Sequence, residues 1–375
     1  MDTALRILQI YPKADYYTGA AIQLRELTEG LQQRGHEVIV ATRPSEAWAS
    51  RLRQSGIAHH AVPMSSEVDL RSVRALIGIL RRHRVQIVHA QKGKARTLAM
   101  MAGLFAKIPV LILNRGVSFP PDPFNRLGYT TRRVTAIVAV CDSIKRGLVA
   151  SGVPAEKIHV IYSGTDTKRF SPTVDGRGIR CELGLDREDF LFIPVGVRSW
   201  KGNDDAIDAF ALVAAHRPRA RLLIAGARDP RGLRDRAATR AVSDRLRFLG
   251  YRDDVPEILA ASDCCIDASY AGLGLTGTLR EALAVEVPVI ATDLEGNPEL
   301  VVDGRTGLLF PPRDVPALAA AMLRMLDDRE LAETTARAGR QLVEARFSSQ
   351  AKLDATEALY RRLYMRFQSP ACSKA

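Results

Sequence analysis

The chain has 375 residues, 46% hydrophobic and 26% charged, with a net charge of +12. It is long enough for two domains with full cores, and its composition excludes a disordered or fibrous polypeptide. No apolar run approaches the roughly 18 residues that a membrane-spanning helix needs, and five cysteines without a CxxC pair point to reduced thiols in a cytosolic protein, not to zinc or a disulfide framework.

The apolar run from Leu5 to Ile10 is followed at once by turn and helix signals, with no small-residue cleavage site. It reads as a first core strand, 6–10, and not as a secretion signal. A helical pattern over about 20–34 and a strand at 37–41 come next, then a strand at 58–62, a helix over 70–83 and the strand 87–89. Helix 94–107, strand 110–113, helix 126–134, strand 136–140, helix 142–151 and strand 158–161 complete this half. Strands alternating with helices of this length predict a parallel sheet covered on both faces.

Turn chemistry at Ser163-Gly164-Thr165-Asp166 and Phe170-Ser171-Pro172, then a polar stretch over 173–190, reads as a linker. The alternation restarts with strand 190–195, helix 204–216, strand 221–226, strand 246–249, helix 254–261 and strand 264–266. A glycine-rich stretch, a short helix carrying Glu281, a strand at 287–292 and helices at 314–327, 329–345 and 350–367 follow. The expectation is α/β: two doubly wound Rossmann-like domains, 1–172 and 173–349, facing each other across a cleft, with segment 350–375 at the end.

The charge is uneven between them. Residues 1–170 hold 25 Lys and Arg against 12 Asp and Glu, while the remainder holds 29 against 30. A basic half beside a neutral one implies a face that meets something anionic, nucleic acid or a membrane or lipid headgroup. Basic-aromatic interleaving and RNA-binding motifs are absent and aromatics are only 6%, which argues against nucleic acid.

The densest chemistry lies in 268–300. Gly272, Gly274 and Gly277 lead into the Glu281 helix, so backbone amides can approach an anion while the helix dipole favours negative charge there. Glu281 is expected about two turns in, where a carboxylate can accept hydrogen bonds from sugar hydroxyls. A diphosphate beside a sugar suits this layout. Gly196-Val197-Arg198-Ser199-Trp200-Lys201-Gly202 adds an arginine and a lysine at a strand's carboxyl end, able to neutralise a departing diphosphate as a metal does elsewhere.

These segments resemble the donor-site signature of retaining glycosyltransferases of the GT-B fold, glycosyltransferase family 4, and the resemblance covers nearly the whole chain. It implies a nucleotide-sugar donor as substrate, no cofactor and no metal. Catalytic roles fall to Arg198, Lys201 and Glu281, and donor binding to Gly19, Gly250, Tyr251, Leu273, Gly274, Leu275, Thr276 and Glu281. Glu281 matches the glutamate on the donor ribose, the amides of 274–276 match the diphosphate cradle, and Gly250-Tyr251, with Asp253, Asp254 and Asp263, matches the base-seating element. Thr18-Gly19-Ala20 matches a glycine loop with one glycine of the usual pair missing, and the last helix is expected to return to the N-terminal domain. His89 and Arg115 stand on the acceptor or sugar side. Arginine cannot act as a general base, so Arg115 is expected to bind an anion.

Two departures stand out: Leu273 occupies the position of a second glutamate that contacts the transferred sugar, and Glu286 replaces a glycine before Pro-Val. The implied activity is sugar transfer to a hydroxyl of an anionic glycan or glycolipid, such as a lipopolysaccharide precursor, by a cytoplasmic protein held peripherally at an anionic membrane surface. A catalytically weakened nucleotide-sugar or anion-binding protein is the alternative, with a sugar-nucleotide epimerase behind it. A nicotinamide dehydrogenase is excluded, because neither first strand is followed by Gly-x-Gly-x-x-Gly.

Overall fold

The structure, a computed structural model, describes residues 4–16, 18–119, 123–194, 196, 198–226, 229–272 and 274–369, with the backbone alone at 123–125 and 127. It divides into two compact units, 1–164 with 349–375, and 165–348.

In the first unit the chain runs β1 (Arg6–Tyr11), α1 (Gly19–Gln33), β2 (Glu37–Thr42), α2 (Glu46–Gln54), β3 (Ala58–Ala61), α3 (Leu70–Arg82), β4 (Ile87–Gln91) and α4 (Gly93–Ala102). It continues through β5 (Val110–Arg115), α5 (Pro123–Thr130), β6 (Ala136–Ala139), α6 (Asp142–Ala150) and β7 (Ile158–Val160). The strands pair in parallel in the order β3-β2-β1-β4-β5-β6-β7. Alternate residues feed two cores. Leu8, Ile10 and Val88 pack on one face, and Ile7, Tyr11 and Ile87 on the other. A parallel sheet buried on both faces needs such near-continuous apolar strands.

The second unit runs α7 (Arg177–Glu182), β8 (Phe190–Pro194), α8 (Asn203–Ala214), β9 (Ala220–Ala225), α9 (Arg231–Thr239), β10 (Leu246–Leu249), α10 (Val255–Ala260) and β11 (Cys264–Asp267). After it come α11 (Gly277–Ala284), β12 (Val289–Thr292), α12 (Asn297–Leu300), β13 (Leu308–Phe310), α13 (Val315–Asp327) and α14 (Arg329–Arg346). Its parallel order is β10-β9-β8-β11-β12-β13, so each sheet reverses direction beside its first strand, at β1/β4 and at β8/β11. Ligands in doubly wound folds bind outside the carboxyl ends of strands at such a reversal.

The unit boundary falls at Gly164/Thr165, earlier than the expected 172/173. The Thr165 amide donates to Phe347 O, and Thr165 forms a bridge with Ser348, which ties the segment after 164 to the second unit. The last helix, α15 (Ser349–Gln368), belongs to the first unit, where Leu353, Leu359, Tyr360 and Leu363 join the core of Ile7 and Ile87. A Cβ on Gly30 of α1 would stand 2.7 Å from a Leu353 methyl, so the two helices pack closely. Arg34 pairs with Asp354 and Glu357 along the same seam.

Helices α2, α7, α9 and α12 and strand β13 were not expected from the sequence. Helix α2 is short and buries only Trp48 and Leu52, yet Ser45 caps it by accepting from the Trp48 amide, and α9 buries only Ala237. Neither carries enough apolar residues to show a period.

Candidate functional site

The β8/β11 reversal gathers two loops. The first, 196–202, begins at Gly196, in the left-handed region at φ 68°, whose carbonyl accepts from Asn203 Nδ2 at 2.8 Å. A single 3-10 turn, Ser199–Lys201, closes with the Lys201 amide donating to Arg198 O at 2.8 Å. Gly202 then takes φ 65° and starts α8. A Cβ there would drive into the Ala268 carbonyl, whose carbon would be 2.8 Å away, so only glycine permits this approach. The Tyr270 amide donates to Trp200 O at 3.0 Å and its hydroxyl to Ser199 O at 2.8 Å, binding the first loop to the second.

The second loop starts from Asp267, the last residue of β11 and fully buried. Its Oδ1 accepts from the Ser269 amide at 3.0 Å and from the Ser269 hydroxyl, and its Oδ2 accepts from Thr276 Oγ1 at 2.6 Å. Lys201 Nζ stands 3.8 Å from Oδ1. Thr276 precedes α11, whose first turn carries no acidic residue and no side-chain cap. Amides at such a helix start are open to an anion and carry the positive end of the dipole. Glu281 is the fifth residue of α11, about one turn in and not two. A Cβ on Gly277 would lie 3.9 Å from Glu281 Oε1, so the carboxylate reaches back toward the helix start. The buried Cys265 thiol is pushed up by burial first, then by the charges of Asp267 and Glu281, with Lys201 opposing, so all three act on the same buried group. Asn297 steadies the floor, donating to Thr292 O and Oγ1 at 3.2 Å each.

The structure therefore brings Lys201, Thr276 and Glu281 together at the strand ends, with Gly274 and Leu275 in the turn between β11 and α11. Arg198 is exposed, its guanidinium 5.5 Å from the Trp200 ring centroid, and does not converge on Asp267 with Lys201. Leu273 lies outside the described residues. Gly250 follows β10, where its carbonyl and that of Leu249 both accept from the Gly226 amide, and Tyr251 is 67% exposed. Asp263 stands just before the amino end of β11, accepting from the Leu191 amide and Arg180, at the opposite end of the strand from Asp267 and the crevice. It holds the fold. Asp254 is likewise taken up by Arg252, which also pairs with Glu182.

In the first unit, Gly19 opens α1 at the end of the β1 loop, and its Cβ position is open space. His89 does not reach the carboxyl end of β4, because the strand runs on to Gln91. It is 3% exposed, with Nδ1 sharing a 2.6 Å hydrogen bond with the Tyr360 hydroxyl of α15, and burial, reinforced by the Lys352 charge, pushes its pKa down to about 3. Gln9 Nε2 donates to the same hydroxyl at 3.0 Å. His89 is thus a neutral core residue and not a ligand-facing one. Arg115 ends β5 and donates to Phe119 O and to the Tyr129 hydroxyl, the latter at 3.4 Å. Its loop contacts already engage the guanidinium that was expected to bind an anion.

Asp267, Asn203 and the clamp at Gly202 escaped the sequence reading. A carboxylate closing the apolar run Cys264-Cys265-Ile266 just before turn residues was the available signal for Asp267.

Fold and site together define a pair of doubly wound α/β units, the second placing a lysine beside the uncapped start of a helix at its β8/β11 reversal, an arrangement able to receive phosphorylated ligands. The profile described as glycosyl transferases group 1 matches residues 188–328, and that of glycosyltransferase family 4 matches residues 17–169. With one match in each unit, together spanning most of the chain, this protein belongs to the family 4, group 1 glycosyltransferases. It is 32% identical over 214 residues to the lipopolysaccharide core biosynthesis mannosyltransferase LpsB of Rhizobium meliloti (strain 1021), a match covering 54% of this chain and 60% of that protein. Among solved structures, a glycosyltransferase from Rickettsia africae ESF-5 superposes with TM-score 0.88 at 20% identity, covering 96% of this chain and 98% of that one. Anabaena Alr3699/HepE in complex with UDP gives 0.83 at 22%, covering 95% and 99%. At these identities the structural likeness shows the GT-B fold.

Proposed function

We propose that the protein is a retaining glycosyltransferase that moves a sugar from a nucleotide-sugar donor to a hydroxyl of an anionic cell-envelope glycan or glycolipid. The observation that carries this reading is the meeting of Lys201, the 274–276 turn and Glu281 at the β8/β11 reversal, with α11 pointing its amides into the same crevice. The lipopolysaccharide mannosyltransferase and the UDP-bound structure among its relatives support the donor class and the envelope setting.

In this reading the 274–276 amides hold the diphosphate and Glu281 accepts hydrogen bonds from the ribose. Gly250 and Tyr251 seat the base. Lys201, with Arg198 at the rim, stabilises the charge that grows on the leaving group, which is where fixed cations lower a barrier most. No metal is required for that role. The proton of the attacking hydroxyl passes to a phosphate oxygen of the leaving group, so the missing carboxylate at position 273 affects sugar choice rather than the existence of the reaction.

The acceptor side is read from the first unit's charge. The adjacent pairs Arg81-Arg82 and Arg132-Arg133 lie in this half, and Arg81 donates to Phe105 O at 2.9 Å and Arg133 to Gly103 O at 3.3 Å, so both pairs flank one loop. That loop exposes Leu104 at 56% and Phe105 at 64%. Among the described residues no helix is long and apolar enough to cross a membrane. Cations near an anionic leaflet contribute about 1 kcal/mol each, so a few suffice for reversible attachment.

The test is a panel of nucleotide sugars incubated with the protein and an envelope glycolipid extract, with products read by mass spectrometry and vesicle pelleting run in parallel. A glycosylated lipid product and salt-sensitive pelleting with anionic vesicles are expected. Donor binding without any product would favour the binding-protein alternative, and indifference to anionic vesicles at low salt would point to a soluble acceptor.

A further inference from the structure

We propose that Asp267 is a positioning residue that holds Lys201 and the 274–276 turn in one fixed arrangement, so that both meet the diphosphate together. This rests on the reading of the β8/β11 crevice given above.

A carboxylate at the end of a buried apolar strand is strongly disfavoured unless it is paired and hydrogen-bonded, and an apolar side chain would fill the place without that penalty. Asp267 is instead fully served by its own loop. The Ser269 amide and hydroxyl hold Oδ1, and the Thr276 hydroxyl holds Oδ2 at 2.6 Å. Those three donors fix the carboxylate without help from Lys201. Its remaining influence on Lys201 is the charge, across 3.8 Å, which is beyond hydrogen-bond range.

That separation matters. The Lys201 side chain is only 15% exposed, and among the described residues no hydrogen bond takes up its ammonium. The ammonium is therefore located by a buried countercharge while its N–H groups stay available to a ligand. Through Thr276 the same carboxylate fixes the residue that leads into α11, and so the turn whose amides face the crevice. Asp267 thus joins the loop after β8 to the start of α11. A misplacement of about 1 Å at such a site can cost on the order of a hundredfold, so this link has functional weight.

The experiment compares wild type with Asp267→Asn, Lys201→Met and the double variant. Each is titrated calorimetrically with UDP, GDP and ADP, using the tightest binder and its parent nucleoside, and thermal melting is followed alongside. Asp267→Asn should weaken diphosphate binding by about tenfold or more and change nucleoside binding by less than about twofold. In the Lys201→Met background it should add a smaller loss than it does in wild type, because only the 274–276 turn is then left for it to hold. Equal losses for nucleoside and diphosphate, or losses that multiply in the double variant, would mark Asp267 as merely structural and overturn the proposal. Tighter diphosphate binding by Asp267→Asn would also overturn it, because the carboxylate would then act only as a repelling charge. If Lys201→Met binds the diphosphate like wild type, the crevice reading itself fails, independently of Asp267. Should Asp267→Asn not fold, Thr276→Val takes its place. It should show the same selective loss, with Thr276→Ser restoring binding, and an unselective loss or no rescue by Ser refutes the link.

Discussion

The clamp between the two crevice loops can be broken by a single methyl group. Gly202 and Gly184 share φ 65°, but an added Cβ meets the Ala268 carbonyl group at Gly202 and nothing within 4 Å at Gly184. Alanine at either position carries the left-handed strain of about 1–2 kcal/mol. At Gly202 the collision adds an overpacking cost of about 1–3 kcal/mol, and the obstacle is backbone, which cannot swing aside as a side chain would. Melting falls by roughly 2–4 °C per kcal/mol for a domain of this size, so Gly202→Ala should melt about 2–12 °C below Gly184→Ala. Scanning calorimetry measures the difference, and titration with a nucleoside diphosphate shows whether the loop carrying Lys201 has moved. Gly202→Ala should lose affinity, whereas Gly184→Ala should keep it. Equal melting and equal affinity in the two variants would refute the claim that the Gly202–Ala268 contact fixes the crevice.

Lys201→Ala should lower turnover by about a hundredfold or more, in line with the loss of one charge-stabilising donor, while wild-type turnover survives a chelator; abolition by chelator and recovery with manganese would assign that work to a metal. Glu281→Ala should weaken nucleoside diphosphate binding by about 1.5–3 kcal/mol, the range for hydrogen bonds to a charged group, and unchanged affinity would place the ribose elsewhere. The pH dependence follows from His89. Folded, it stays neutral down to about pH 3, whereas in the unfolded chain it takes a proton near its ordinary value of 6.5. The unfolded state then binds more protons between those values, so stability falls as pH drops through that window. Urea midpoints at pH 7.5 and 4.5 should drop less for His89→Gln than for wild type, and identical drops would exclude His89 as the source.

Much of the fold is legible because it is written in local pattern. The apolar runs at β1, β2, β4 and β5 are long enough to announce strands buried on both faces, and the restart at β8 announces a second unit. Glycines at 196, 202, 272 and 277 mark the crevice loops. What the sequence hides is whatever depends on partners distant along the chain. His89 looks exposed at a strand end until Tyr360, from the last helix, is seen to cover it. Asp267 reads as the close of a strand until Lys201 and Thr276 are brought to its two oxygens. Arg198 and Lys201 look equivalent by spacing, yet one 3-10 turn sends the first to solvent and the second inward. The register of a short helix is equally hidden, which is why Glu281 lies one turn from the start of α11 and not two.

The central claim, that the β8/β11 crevice receives the diphosphate of a nucleotide-sugar donor, is tested most directly by thermal stabilisation. UDP, GDP and ADP are each added to wild type and to a Lys201→Ala, Glu281→Ala double variant. A ligand at a hundred times its dissociation constant adds about 2.7 kcal/mol of stability. At least one of the three should raise the wild-type melting temperature by several degrees and leave the double variant unmoved. No shift with any of them, or equal shifts in both proteins, would contradict the account.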